Sequence, residues 1–216
     1  FNAFEAKVMY NELFSKLLKA LNNIGKKPIM AYGGYESIIL CNTNSPARLY
    51  GVAQSVGYGE YRAITPVGGG MPVNKYYFLP THCRMRFDDV ARILSEHGYF
   101  SASKSEKEHA LDYYRDICNC GICHEIIRDD INGFSTYNDS IPYTVKTRNG
   151  ILTKNRPTTD ATLIAAIHFL NCKVFEWNYI ENENLSTVLD NLKSCYAQYQ
   201  PKLVGHINKW CEIYGK

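Results

Sequence analysis

Apolar positions recur at helical spacing over residues 4–24, FEAKVMYNELFSKLLKALNNI, where Tyr10, Leu13, Leu17, Leu21 and Ile24 share one face. The pattern predicts an amphipathic helix, with Gly25 and Pro28 at its exit. PIMAY then reads as a short buried strand closed by Gly33 and Gly34, and ESIILC as a second apolar run, strand or short helix. ARLYGVAQSVGYGE starts as a strand and ends in a glycine-bearing loop, and KYYFLPTH is an aromatic-rich strand. FDDVARILSEHG is a helix with Asp88 and Asp89 in its first turn and Gly98 as its stop. SEKEHALDYYRDI is helical. Residues 129–160 are turn-rich and polar, with turns or hairpins at Asn132-Gly133 and Asn149-Gly150. Two helices follow, about 160–181 and 184–213, the second interrupted by Pro201. In the first of them Leu163, Ile167, Leu170, Val174 and Trp177 form the expected core face, flanked by Ile164, His168, Cys172 and Phe175.

This strand–helix rhythm predicts an α/β fold with parallel strands. In such folds functional groups gather where strands end. Two segments lie there. SVGYGEYR offers glycines, the Glu60 carboxylate and the Arg62 guanidinium; LPTHCRMR places His82 at a strand end, followed by Arg84 and Arg86. Each also has a plainer reading, as a tight turn with solvated charges and as a hydrogen-bonded support.

The chain has 216 residues, of which 45% are hydrophobic, enough for one large domain. Its net charge of +3 is too mild to require a polyanion partner. Seventeen tyrosines suit either an ordinary core or surfaces that stack on rings. No apolar run reaches the roughly 18 residues of a membrane span. No apolar leader opens the sequence, so the expected compartment is the cytoplasm.

The densest chemistry is ICNCGICHEII, where Cys118, Cys120 and Cys123 lie within six positions. Short C-x-C-x2-C loops let three thiolates converge on one ion, and zinc then takes a fourth ligand from elsewhere. The alternative is a disulfide with a spare thiol. Cys41, Cys83, Cys172, Cys195 and Cys211 are scattered and suggest no disulfide framework, and a reducing compartment favours metal. For the fourth ligand three residues compete. His124 adjoins Cys123, while His168 and Cys172 share a helix face.

Several segments together resemble the C-terminal part of a tRNA-guanine transglycosylase. CNCGIC matches that family's C-x-C-x2-C zinc motif, and HFLN, His168 to Asn171, resembles the later His-Asn segment. YGVAQSVGYGE resembles the glycine-rich loop followed by Gly-Glu, and KYYFLPTHCRMRFDDVARILSEHGYF occupies the place of the units that close the barrel. GVAQSVGYGEYR and KYYFLP look closer to the DNA-acting branch, the 7-deazaguanine DNA transglycosylases and related anti-phage DNA glycosylases. The resemblance implies the last βα units of a (β/α)8 barrel over residues 1–115 and a zinc subdomain with C-terminal helices over 116–216. It implies a structural zinc ion on Cys118, Cys120, Cys123 and His168. It also implies base recognition by Gly57, Tyr58, Gly59 and Glu60.

Two departures qualify the match. Only three or four βα units are present, so a preceding half or a second chain is expected to complete the barrel. The family's nucleophilic aspartate has no counterpart, because HGYFSAS carries no carboxylate where it is expected. The expected activity is base exchange or base excision on a flipped nucleobase in DNA or tRNA. Glu60 and His82 are the catalytic candidates, with Arg62, Lys75, Arg84 and Arg86 on phosphates. A non-catalytic nucleic-acid-binding subunit and a zinc-stapled interaction module are the alternatives.

Overall fold

The computed structural model describes Phe4 and residues 6–53, 75–148 and 150–215. Gly57, Tyr58, Gly59, Glu60 and Arg62 lie outside the described residues. The chain is mixed α/β and mainly helical. Its contacts divide it into two compact units that interleave in sequence. One unit holds the described residues up to Ala53, Pro80–Cys83 and the chain from Lys173 onward; the other holds the described residues from Lys75 to Leu79 and Arg84–Cys172.

In the first unit, helix α1 (Val8–Asn23) precedes strand β1 (Ile29–Ala31), helix α2 (Tyr35–Ile39) and strand β2 (Gly51–Ala53). β1 and β2 pair in parallel, Ile29 against Gly51 and Ala31 against Ala53. The ambiguous run ESIILC is thus a helix, with Ile38, Ile39 and Leu40 buried. They pack with Leu18, Leu49, Val188, Leu192, Ile207 and Trp210 into the core of this unit. Asn42 Nδ2 donates to the Ile180 and Glu183 carbonyls at 2.7 and 2.9 Å and so satisfies two acceptors at the end of a helix.

In the second unit, strand β3 (Lys75–Phe78) pairs with β4 (Cys83–Arg86), whose first residue belongs to the other unit. Helices α3 (Phe87–Glu96), α4 (Glu106–Asp116) and α5 (Gly121–Ile127) follow. α4 opens on a capping box, in which Ser105 Oγ accepts from the Glu108 N–H and the Glu108 carboxylate accepts from the Ser105 N–H. A 3-10 segment, Ile131–Asn138, carries Asn132-Gly133.

The stretch read as turn-rich instead forms a long hairpin, β5 (Ser140–Thr147) and β6 (Gly150–Pro157), antiparallel over eight pairs. It pairs even though neither face is buried. Thr147 pairs with Gly150, whose φ of 121° suits a residue without a Cβ; Asn149, the other half of the expected turn, lies outside the described residues. Helices α6 (Thr159–Asn182), α7 (Leu185–Tyr199) and α8 (Val204–Tyr214) complete the chain. The break at Pro201 is a 3-10 turn between α7 and α8.

Two helical faces are oriented opposite to expectation. On α1 the side chains of Tyr10, Leu13, Leu17 and Ile24 are exposed, and Asn11, Ser15 and Leu18 are buried. On α6 the stripe Leu163, Ile167, Leu170, Val174 and Trp177 is exposed, whereas His168, Phe169, Cys172 and Glu176 are buried. Periodicity identifies an apolar face; it does not say which face the rest of the chain covers. No helix among the described residues is long and apolar enough to cross a membrane.

Candidate metal centre

The three clustered cysteines are presented by one turn of chain. Cys118 follows the end of α4, Cys120 is the N-cap of α5, and Cys123 is the third residue of that helix. An N-cap side chain and the third helical residue lie on the same side of a helix start, so C-x2-C turns both sulfurs one way. The C-x-C step brings Cys118 in from the preceding helix. His168 arrives from α6, buried completely.

Ligand atoms of Cys118, Cys120, Cys123 and His168 all lie within 4.8 Å of one another. His168 Nδ1 is 3.4 Å from Cys120 Sγ, 3.4 Å from Cys123 Sγ and 3.9 Å from Cys118 Sγ. A tetrahedron with Zn–S near 2.3 Å and Zn–N near 2.0 Å has N···S edges of roughly 3.5 Å. The set therefore has the size of a metal tetrahedron. The other ring nitrogen, Nε2, lies 2.8 Å from the Tyr77 carbonyl oxygen. It can only donate there, so Nδ1 is the nitrogen that faces the sulfurs. Metal-binding histidines are commonly held in this way.

The competing fourth ligands sit elsewhere. His124 Nε2 hydrogen-bonds to Asn119 Oδ1, and its ring stacks on Tyr114 at 3.9 Å. Cys172 Sγ lies 3.9 Å from Cys118 Sγ and 3.6 Å from His168 Nε2, beside the set rather than within it. No disulfide joins any of the eight cysteines.

An aromatic shell surrounds the donors. Tyr76 stacks on the His168 ring at 4.3 Å, and Tyr137 meets it edge-on at 5.6 Å. The hydroxyls of Tyr113 and Tyr137 each lie 3.4 Å from Cys123 Sγ, and that of Tyr76 lies 3.9 Å away. The Tyr76 and Tyr113 hydroxyls also touch each other. Burial raises all three phenols well above their ordinary range, followed by the nearby sulfurs, so they stay protonated. Tyr137 can donate to the Cys123 sulfur, while one hydroxyl of the Tyr76–Tyr113 pair donates to the other and the remaining proton is free to face sulfur. Three of the seventeen tyrosines, Tyr76, Tyr113 and Tyr137, belong to this buried shell.

The donors shift one another strongly. Cys120 is held far below the usual thiol range, first by its hydrogen bond with Cys118 and then by that with Cys123. Cys118 is raised, chiefly by the same bond to Cys120, and Cys123 is raised chiefly by burial. Burial disfavours a charged His168, but hydrogen bonds to Cys120 and Cys123 outweigh it and push its pKa up to about 10. Of the three sulfurs only Cys120 is thus favoured as a thiolate, and a bound cation would draw the protons off the other donors. Because binding would displace those protons, affinity for a metal should weaken as pH falls. Four protein donors with no open position suit a structural ion.

The other sequence-predicted residues are dispersed. His82 has a left-handed backbone (φ 52°), its Nδ1 lies 2.7 Å from Glu176 Oε1, and its ring stacks on Tyr35 at 3.5 Å. Glu176 is fully buried and also meets Lys173 Nζ at 2.9 Å. Arg84 lies over the Phe169 ring at 3.8 Å, and Arg86 meets Asp88 at 3.5 Å. Lys75 is exposed at the start of β3. Sequence reasoning missed Glu176 and Lys173. Their signal was a charged pair at i, i+3 inside an otherwise apolar helical run, CKVFEW. Comparison of the chain with protein-family models, with curated proteins and with solved structures finds no match, so the transglycosylase resemblance stands on the quoted residues alone.

Proposed function

We propose that the protein carries a structural zinc ion on Cys118, Cys120, Cys123 and His168. We further propose that it serves nucleic-acid base exchange or excision of the tRNA-guanine transglycosylase type, on a base flipped out of DNA or tRNA. The observation that carries this reading is the convergence of C-x-C-x2-C with the histidine that opens HFLN, the ligand set the resemblance implies. Thiolate and imidazole donors at tetrahedral spacing favour zinc over hard cations, which prefer oxygen. The ion's part is architectural: it ties the α4–α5 junction to α6.

Base chemistry falls to other residues. Unstacking a base costs a few kcal/mol, repaid by stacking and edge hydrogen bonds, roles proposed for Tyr58, Gly57, Gly59 and Glu60. The carboxylate of Glu176 fixes the His82 ring through Nδ1, which favours a proton-handling or hydrogen-bonding role for that ring. Arg62, Lys75, Arg84 and Arg86 are proposed phosphate contacts. A second chain or preceding segment completing a barrel accords with the parallel β1–β2 pair and the exposed apolar faces of α1 and α6.

One observation favours a non-catalytic binding subunit instead: the segment Tyr99–Ser103 supplies no carboxylate nucleophile. The protein should be incubated with duplex DNA and with tRNA, and released bases identified by mass spectrometry. Base release supports the enzyme; binding without release supports the subunit. Absence of both, with one zinc per chain, would leave only the metal module.

A further inference from the structure

The charged residues of the β5–β6 hairpin are all basic. Between Ser140 and Pro157 there are four basic residues, Lys146, Arg148, Lys154 and Arg156, and no aspartate or glutamate. Those four charges exceed the net +3 of the whole chain, so the remainder is acidic by one. Some basic side chains of the protein, Arg92, Arg115, Lys193 and Lys209 among them, each meet a carboxylate. Among the described residues none of the hairpin's four does.

The hairpin is also uncovered. Lys146, Arg148 and Arg156 are exposed and Lys154 is half-buried. Ile141, Ile151 and Leu152 are exposed as well, so neither face packs on a core. A two-stranded hairpin is marginal by itself in water, and an uncovered pair of eight-residue strands is a costly surface unless something binds it.

The register distributes the charge. Ile141 opposes Arg156, and Tyr143 opposes Lys154, on one face; Lys146 opposes Ile151 on the other; Arg148 lies at the tip. The Arg156 guanidinium lies 5.9 Å from the Tyr143 ring centre, which steadies it along the strand. Cation is therefore present on both faces and at the end. A ribbon lying on a lipid surface would gather its apolar residues on one face; here Ile141, Tyr143 and Leu152 share theirs with Lys154 and Arg156. Positive charge on all sides suits insertion between two phosphate backbones. A two-stranded ribbon fits the major groove of a duplex, and eight residues at about 3.4 Å each span most of a helical turn.

We infer that the β5–β6 ribbon grips a nucleic-acid duplex by its phosphates. The inference rests on the nucleic-acid reading above and gives it a surface that the sequence candidates did not include. Phosphate contacts set affinity and position rather than sequence choice.

The test is fluorescence anisotropy of labelled 20-base-pair DNA and RNA duplexes with the full protein across a salt series, repeated with anionic phosphatidylserine vesicles. The variants are Arg148→Gln and the combined Lys146→Gln, Arg148→Gln, Lys154→Gln and Arg156→Gln. Circular dichroism and zinc content serve as fold controls. Each phosphate contact contributes about −0.9 to the slope of log K against log salt on DNA. The fourfold variant is expected to lose roughly two to four units of slope and at least tenfold in low-salt affinity, and Arg148→Gln alone about one unit. If the fourfold variant misfolds, Arg148→Gln decides the matter. Wild-type binding with an unchanged slope in the variants would overturn the ribbon's role and leave the nucleic-acid reading in place. No duplex binding by the wild type would overturn both. Charge-dependent binding to vesicles but not duplexes would replace the partner with a membrane surface.

Discussion

Replacing His168 by alanine separates a metal centre from an ordinary buried histidine. Three local losses can be counted. The Tyr77 carbonyl, which receives the Nε2 hydrogen bond at 2.8 Å, is left unsatisfied in a buried site, at a cost of about 1–3 kcal/mol. The stack with Tyr76 disappears, about 0.5–1.5 kcal/mol. The fourth donor to the ion is also gone. The first two alone sum to about 2–4 kcal/mol, a shift of roughly 5–15 °C in midpoint for a chain of this length. Cys172→Ala is the matched control: it is equally buried and one turn away, but its sulfur lies outside the donor set. Zinc should be counted by inductively coupled plasma mass spectrometry, and thermal unfolding followed with and without chelator. His168→Ala is expected to lose its zinc and its response to chelator, whereas Cys172→Ala keeps both. Full zinc in His168→Ala would refute the tetrahedron drawn from these distances; loss in Cys172→Ala would make the site all-thiolate.

Tyr137→Phe removes a hydroxyl donor to Cys123 without changing ring packing, so metal affinity in a chelator competition should fall on the order of tenfold with little loss of fold. Ser105→Ala breaks the capping box of α4 and should cost about 1 kcal/mol in urea unfolding; an unchanged midpoint would mean the cap contributes nothing. Glu176→Ala strips the buried carboxylate from both Lys173 and His82, and a destabilisation of about 3–5 kcal/mol is expected by the same assay.

The convergence of the candidate ligands was readable because short spacing between soft donors constrains geometry without help from the rest of the fold. Most helices were readable too, from period and punctuation: Gly98, Pro201 and Gly150 all fall at the bounds of elements. What failed was the choice of buried face. On α6, five apolar residues outvote one histidine in any hydropathy pattern. Yet His168 is the residue inside, because a backbone carbonyl and three sulfurs compensate its polar atoms. α1 presents the same difficulty: Asn11 is buried, and the Tyr214 hydroxyl donates to its carbonyl at 3.1 Å. A partner 203 residues away in sequence, as in that contact, leaves no trace in a local window. The Glu176–His82 pair escaped for the same reason, spanning 94 positions.

Cys123 and His168 are 45 positions apart, so an ion bound to both would close that stretch into a ring. Closing a ring of this size costs an unfolded chain about 4 kcal/mol of entropy, a cost the fold meets by holding the donors together before an ion binds. The logarithm makes that term insensitive to ring size. Extending the hairpin inside the ring by roughly eight residues would alter it by only ~0.15 kcal/mol. The excursion between the ligands is therefore free to grow or shrink at its tip, while the ion keeps its roots in place.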